Sequence, residues 1–172
     1  KTTTNTLTIT AWVRPNGIQP DYAGIVMNDG TTAGFNFRGG NNTLGYHWPG
    51  GSWSWNSGLV VPADEWSYVA MVATPDSMTL YLDGVPSTHQ AGLDSADLET
   101  MRIGSYKDWG SRNFYGEIDE VCIWNRAHST LEIRELAHLT KEDVIADPEL
   151  LAYYQFNEES GTVYDKAGNR FH

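Results

Sequence analysis

The hydrophobic pattern along this chain repeats with the period of strands nearly throughout and with that of a helix in one place. Leu7-Thr8-Ile9-Thr10-Ala11-Trp12-Val13 alternates apolar and polar positions as far as Trp12 and stops at Pro15-Asn16-Gly17. Successive side chains of a strand point to opposite faces, so this alternation predicts a strand with one buried side. Residues 22–27 form a second run, closed by Asn28-Asp29-Gly30, a hairpin signal. Residues 34–38 and 43–48 follow, with Gly39-Gly40-Asn41-Asn42 between them. Residues 66–74 are apolar on both faces, which predicts a strand inside a sheet that is covered from both sides. Residues 79–83 are its hairpin partner, entered through Pro75-Asp76-Ser77 and ended by Asp83-Gly84. Residues 102–104, 113–124 and 150–156 complete the set, and many short strands at this spacing read as a sandwich or a barrel.

The helical exception begins at Ser129-Thr130-Leu131-Glu132, a capping box in which Ser129 bonds the N3 amide and Glu132 reaches back. Leu131, Ile133, Leu136 and Leu139 are the apolar stripe expected to face the sheet, with room for a further turn at 141–145. Asp147-Pro148 then ends any helix, because the residue before proline is pushed out of the α region. In the strand that follows, Leu150, Ala152, Tyr154 and Phe156 should share a face and need burial.

Composition narrows the function more than the fold. The 172 residues suit one domain, and seven Trp, nine Tyr and five Phe can fill its core. No apolar stretch approaches the roughly 20 residues of a membrane span, so no membrane insertion is expected. The opening KTTTNTLTIT lacks the charged region and apolar run of a signal peptide, and the chain reads as a mature or excised piece of something longer. A formal net charge of −11 argues against nucleic acid and anionic membrane surfaces, and is compatible with neutral glycans and with calcium. Cys122 has no intrachain partner and sits in a strand pattern, so it reads as a small buried hydrophobe.

Aromatic residues are the foremost candidate ligand contacts. Tyr46 to Trp55 packs Tyr46, Trp48, Trp53 and Trp55 with two glycines into ten residues. Sugars stack their C–H faces on such rings, while their hydroxyls seek amide and charged groups nearby. Trp53 beside Gly50-Gly51 is expected on one loop, and Trp109 with Asp108 and Arg112 on another. Tyr46 belongs to the same candidate platform, whereas Trp48 and Trp55 alternate like strand residues and are expected to pack inside. Glu117 and Asp119, at i and i+2 of a strand, share a face about 7 Å apart, a spacing near that of glycosidase carboxylates. Glu120, by the same alternation, should point away from them. No zinc-binding histidine spacing, nucleophile elbow or phosphate-binding glycine loop is present.

Three strings together resemble the laminin-G-like, concanavalin-A-like jelly-roll family: LTITAWVRP at 7–15, LGYHW at 44–48 continued by residues 55–84, and FYGEIDEVCIWNRAHSTLEI at 114–133. The resemblance implies an all-β fold of two packed antiparallel sheets, a β-sandwich, with one short helix near 129–139. It also implies a role in carbohydrate or protein recognition. In relatives a segment like YYQFNEESGTVYDKAGN precedes the first strand, whereas here it lies at 153–169: either the chain is cut from a tandem array and this segment starts a following repeat or, as the favoured expectation, it closes the sandwich from the other end. Glucanases on this fold carry a further glutamate after the Glu-x-Asp pair, and here Val121 and Cys122 stand in its place. Similar sandwiches often hold a structural calcium, for which Asp119, Glu158 and Asp165, and more weakly Asp29, are the candidate oxygen ligands.

The expectation is a non-catalytic recognition module of a secreted or cell-surface protein, with a glycan or a surface protein as ligand and other domains of the parent protein as neighbours. A glycoside hydrolase using Glu117 and Asp119 is the second reading, and a structural or protein-adhesion domain the third.

Overall fold

Antiparallel pairing organises the computed structural model of the chain, which describes residues 3–98, 100–107, 110–139 and 141–168. In chain order its strands are β1 (Thr3–Thr4), β2 (Leu7–Pro15), β3 (Gly24–Asn28), β4 (Gly34–Arg38), β5 (Thr43–His47) and β6 (Ser67–Thr74). There follow β7 (Ser77–Leu82), β8 (Val85–Gln90), β9 (Ala96–Asp97), β10 (Met101–Ile103), β11 (Gly116–Trp124) and β12 (Leu150–Tyr154). One sheet runs β12-β11-β2-β6-β7-β8, a second runs β10-β3-β4-β5, and β1 pairs with β9.

The two large sheets enclose one core. Leu7, Ile9, Ala11 and Val13 of β2 and Val69, Met71 and Ala73 of β6 meet Ile25, Phe35, Phe37, Leu44 and Tyr46 of the smaller sheet. The residues between them face outward. Tyr68, Ala70 and Val72 of β6 form a second cluster with Tyr81 and Ile133, the latter carried by helix α1 (Thr130–Leu136). Both faces of β6 are therefore covered, which is why its sequence shows no polar side.

Helix α1 is capped as its sequence predicts. The Ser129 side chain accepts from the Glu132 amide, and a Glu132 carboxylate oxygen accepts from the Ser129 amide at 2.7 Å. The expected stripe is narrower than four residues: Ile133 and the half-buried Leu136 and Ala137 face the sheet. Leu131 and Leu139 are exposed, because Leu131 lies two residues, over half a turn, from Ile133. A second helix, α2 (Lys141–Ile145), precedes β12.

Asp83-Gly84 does more than end a strand. Both residues have positive φ, 49° and 77°, and join Leu82 directly to Val85 in the two-residue hairpin that starts β8. That strand escapes a hydrophobicity reading because it is an exposed sheet edge with a mostly polar sequence, VPSTHQ.

Strand β12 lies beside β11 and completes the larger sheet. Its register skips one residue between Ala152 and Leu150, so Leu151 and Ala152 both reach the inter-sheet core. Leu150 is thereby turned to the outer cluster with Trp124 and Tyr153, not to the face of Ala152 and Tyr154 where strict alternation puts it. A second irregularity sits in β11. Asp119 pairs with Trp12 and Cys122 with Thr10, so Glu120 and Val121 together oppose Ala11, and Glu120 takes φ 50°. Cys122 is buried on the outer side, and burial pushes its thiol far above the usual range, as befits a packing residue.

Candidate functional site

The outer face of the four-stranded sheet gathers the side chains most suited to a ligand. Because Phe35 and Phe37 of β4 and Leu44 and Tyr46 of β5 fill the core, Asn36, Arg38, Gly45 and His47 are left on the opposite side. Asn36 Nδ2 donates to His47 Nδ1 at 2.7 Å, which leaves the imidazole proton on Nε2. The His47 ring stands 5.4 Å from Tyr22, edge-on, and 5.1 Å from Tyr106. Burial, reinforced by the Arg112 and Arg38 charges, lowers the His47 pKa to about 4, so this ring is neutral near pH 7.

Tyr22 reaches His47 from a backbone of unusual conformation. Its φ of 62° is held by its amide bonding Phe37 O at 2.8 Å and by the Ala23 amide bonding Pro20 O. Such conformations in residues other than glycine cost about 1–3 kcal/mol and concentrate at functional sites. The Arg112 guanidinium lies 4.8 Å from the centre of the Tyr22 ring and 5.0 Å from that of Tyr106. A short 3₁₀ turn, Gly110–Arg112, delivers it.

Trp53 forms the exposed rim, with 57% of its surface accessible and its ring 6.2 Å from Tyr22. Arg38 crosses the sheet beneath it and donates from Nη1 to the Trp53 carbonyl at 2.5 Å. Gly45 makes that crossing possible, since a Cβ there would lie 2.7 Å from Arg38 Cγ.

Of the residues expected from sequence, Trp53 and Arg112 come together here. Asp108 and Trp109 lie outside the described residues. Tyr46 is not part of the platform: it is 1% exposed, with its hydroxyl bonded to His89 Nδ1 at 2.7 Å and to the Ser52 amide at 3.1 Å. Trp48 is buried with its Nε1 donating to Asp94 O, and Trp55 stacks on His89 at 5.1 Å. Tyr22, Asn36, Arg38, His47 and Tyr106 were not singled out from sequence. The available signal was the polar positions 36 and 38 between Phe35 and Phe37 in a strand whose other face is the core.

The acidic candidates are engaged elsewhere. Glu117 and Asp119 do share the outer face of the larger sheet, but Glu117 is ion-paired with Arg14 at 2.8 Å. That pair lines a cleft of about 430 Å³ with Asp64 and Asn16, to which Asp119 does not contribute. Burial raises the Asp119 pKa, and its Oδ1 accepts from the Glu120 amide. Glu120 departs from simple alternation: the β11 bulge aims it at the outer face, where it accepts from the Tyr153 hydroxyl. Glu158 is bound by Lys166 at 2.6 Å, and Asp165 Oδ1 accepts from the Tyr153 and Ala167 amides. Asp29 holds Arg102 through both oxygens. Among the described residues no three His, Cys, Asp or Glu side chains group to hold a metal ion. Each of the four carboxylates expected to bind calcium is thus hydrogen-bonded or ion-paired through at least one oxygen, while Glu158 Oε2 and Asp165 Oδ2 are buried with no hydrogen-bond partner.

Comparison with known proteins supports the fold independently. The chain spans about half the length of a Bacteroides ovatus protein proposed to bind carbohydrate, which it matches at 19% identity and TM-score 0.79 over 97% of its own length and 51% of the other's. Domain 4 of AbnA, a GH43 extracellular arabinanase of Geobacillus stearothermophilus solved with arabinotriose, is similar at 19% identity and TM-score 0.58, covering 80% of this chain and 68% of that one. A heptameric SAP-like pentraxin of Limulus polyphemus gives 17% identity and TM-score 0.59 over 95% and 81% of the two chains. At such identities the likeness is one of fold. No curated protein matches the chain at a significant level. The family model of the concanavalin A-like lectin/glucanases superfamily matches residues 1–134, well over half of the chain. With that match and two packed antiparallel sheets of the corresponding kind, the chain belongs to the concanavalin A-like lectin/glucanase superfamily.

Proposed function

We propose that the chain is a non-catalytic carbohydrate-binding module of a secreted or cell-surface protein, and that its glycan lies on the outer face of the four-stranded sheet. The observation that carries this reading is Trp53, a large apolar ring left exposed at the rim of a face that also holds Tyr22, His47 and Arg112. An exposed ring beside convergent polar groups is what sugar recognition asks for: stacking for the C–H face and fixed donors for the hydroxyls. His47 Nε2–H and the Arg112 guanidinium supply donors. No bond is made or broken, and rigidity comes from the sheet beneath. The carbohydrate-binding descriptions of the Bacteroides ovatus protein and the arabinotriose complex of the arabinanase domain are consistent with it. The ion pair that occupies Glu117 speaks against the hydrolase reading.

A glycan array probed with the wild-type domain, Trp53→Ala and Tyr22→Ala tests the proposal, each with calcium and with chelator. Binding by the wild type that both variants lose supports it, and chelator should leave that binding intact, because the face is built of aromatic, amide and cationic groups. A blank array with the folded wild type under both conditions overturns it in favour of a protein-adhesion or spacer role.

A further inference from the structure

We propose that a second ligand site lies on the outer face of the six-stranded sheet, beside the two helices, and that it takes a small quaternary ammonium cation against Trp12, Tyr68 and Glu120. The site belongs to the other sheet from the glycan face and stands or falls independently of the carbohydrate reading.

Shape is the first argument. A cavity of about 130 Å³ is lined there by four aromatic side chains, Trp12, Tyr68, Trp124 and Tyr153. Trp12 of β2 and Tyr68 of β6 are paired across neighbouring strands, with ring centroids 5.3 Å apart and planes inclined at 55°. Leu136 of α1 and Val144 of α2 border the cavity on the helical side. Trp12 and Gln155 are half-buried and Leu139 is exposed, so solvent reaches it past these residues. A single water needs only about 10–15 Å³ of such space, so a small organic head group fits.

Charge is the second. Among the described residues that line this cavity the charged side chain is Glu120. The β11 bulge brings it there at φ 50°, a conformation that residues other than glycine adopt at a cost and that gathers at functional sites. Its Oε2 accepts from the Tyr153 hydroxyl and its Oε1 from Gln155 Nε2 at 3.4 Å, both neutral donors. The cations in the described ion pairs, Arg14, Arg102, Arg126 and Lys166, are all joined to other carboxylates. A carboxylate drawn in among rings without an opposing charge is costly, and a bound cation offsets that cost. Burial first, and the Glu120 charge with it, raises the pKa values of Tyr68, Cys122 and Tyr153, which places these lining groups in a negative potential. Aromatic rings attract cations as well, tryptophan most strongly. Both Glu120 oxygens already accept hydrogen bonds, so the carboxylate offers a ligand its charge more than a new bond. A quaternary ammonium, with no N–H to satisfy, suits such a site better than a primary amine.

The test compares ligands that differ in charge or in N–H groups. Choline and tetramethylammonium are titrated calorimetrically at constant ionic strength, beside dimethylbutanol, the uncharged carbon isostere of choline, and ethanolamine. Wild type, Glu120→Gln, Trp12→Leu and Trp53→Ala are compared, each checked for folding by near-ultraviolet circular dichroism. Choline should bind the wild type at least roughly tenfold more tightly than the neutral alcohol, and more tightly than ethanolamine. The margin should disappear in Glu120→Gln, shrink several-fold in Trp12→Leu and persist in Trp53→Ala. In the wild type, choline should also shift the NMR resonances of the Trp12 indole and leave those of Trp53 in place, a readout that needs no substituted chain to fold. No choline binding, binding no tighter than that of its neutral isostere, tighter binding of ethanolamine, or a shift at Trp53 in place of Trp12 overturns the inference. Its failure leaves the carbohydrate reading standing.

Discussion

Arg38 Nη1 donates to the backbone carbonyl of Trp53 at 2.5 Å, tying the one exposed tryptophan of the 48–55 segment to the floor of the smaller sheet. The tie depends on Gly45, whose missing side chain leaves space for the Arg38 stem. Arg38→Met keeps that stem and removes the donor, so it should weaken glycan binding several-fold while the fold persists. Gly45→Ala acts on the same contact, because its Cβ would meet Arg38 Cγ at 2.7 Å and Asn36 Oδ1 at 3.2 Å. The two substitutions combined should cost less affinity than the sum of their separate effects, as expected for residues acting through one contact. Strict additivity in a double-mutant cycle would mean that Arg38 does not position the loop.

Tyr46 and Trp53 sit seven residues apart and should respond oppositely to substitution. Tyr46→Phe strips the hydroxyl shared by His89 and the Ser52 amide, and should destabilise the domain by about 1–3 kcal/mol, the cost of leaving buried polar groups unpaired. Trp53→Ala removes an exposed ring and should change stability by no more than about 0.5 kcal/mol while abolishing binding. Urea unfolding paired with glycan titration separates the two, and a large stability loss in Trp53→Ala would show that its ring packs rather than binds.

What the sequence disclosed follows from which forces act locally. The strands β2, β6 and β11 and the capping box of α1 were legible because alternation and capping are written in neighbouring residues. The bulge that re-aims Glu120, and the one that turns Leu150 outward, were not, since an extra residue in a register is decided by the partner strand. Tyr46 was misjudged for a related reason. A dense aromatic run mixes core-facing and loop-borne rings, and the strand end at His47 decides which is which. The face around His47 was legible only in Trp53 and Arg112, because Tyr22, Arg38 and His47 meet them only through the β3-β4-β5 pairing and the turn that carries Arg112.

His128 should set the acid sensitivity of the domain. It is 4% exposed, edge-on to Trp124 at 4.8 Å, with neither ring nitrogen hydrogen-bonded. Burial and the Arg126 charge outweigh the pull of Glu132 and Asp147 and lower its pKa from 6.5 to about 4. The unfolded chain therefore binds a proton that the folded chain refuses between those two values. Stability falls as pH drops from 6.5 towards 4, by up to about 3 kcal/mol from this residue, and the loss levels off below. His47 contributes with the same sign in the same window. His128→Phe keeps a ring against Trp124 and should flatten the stability profile between pH 6.5 and 4 in urea titrations. An unchanged slope would mean that His128 does not stay neutral in the folded state.

The C-terminal strand should be indispensable although the family match ends at residue 134. Strand β12 supplies Leu151, Ala152 and Tyr154 to the inter-sheet core and Leu150 and Tyr153 to the outer cluster, and its neighbour β11 carries Val121, Ile123 and Trp124, each almost fully buried. Without it β11 becomes an edge with open backbone groups and bare apolar side chains on both faces, the arrangement that invites aggregation. A chain ending at residue 148 should lose its near-ultraviolet circular dichroism, bind a hydrophobic dye and sediment as aggregates. A synthetic peptide of residues 147–168 added during refolding should restore part of the native signal, because Asp165 Oδ1 bridges the Tyr153 and Ala167 amides and shapes the segment internally. A truncated chain that melts within a few degrees of the full one would show that the sandwich closes without β12.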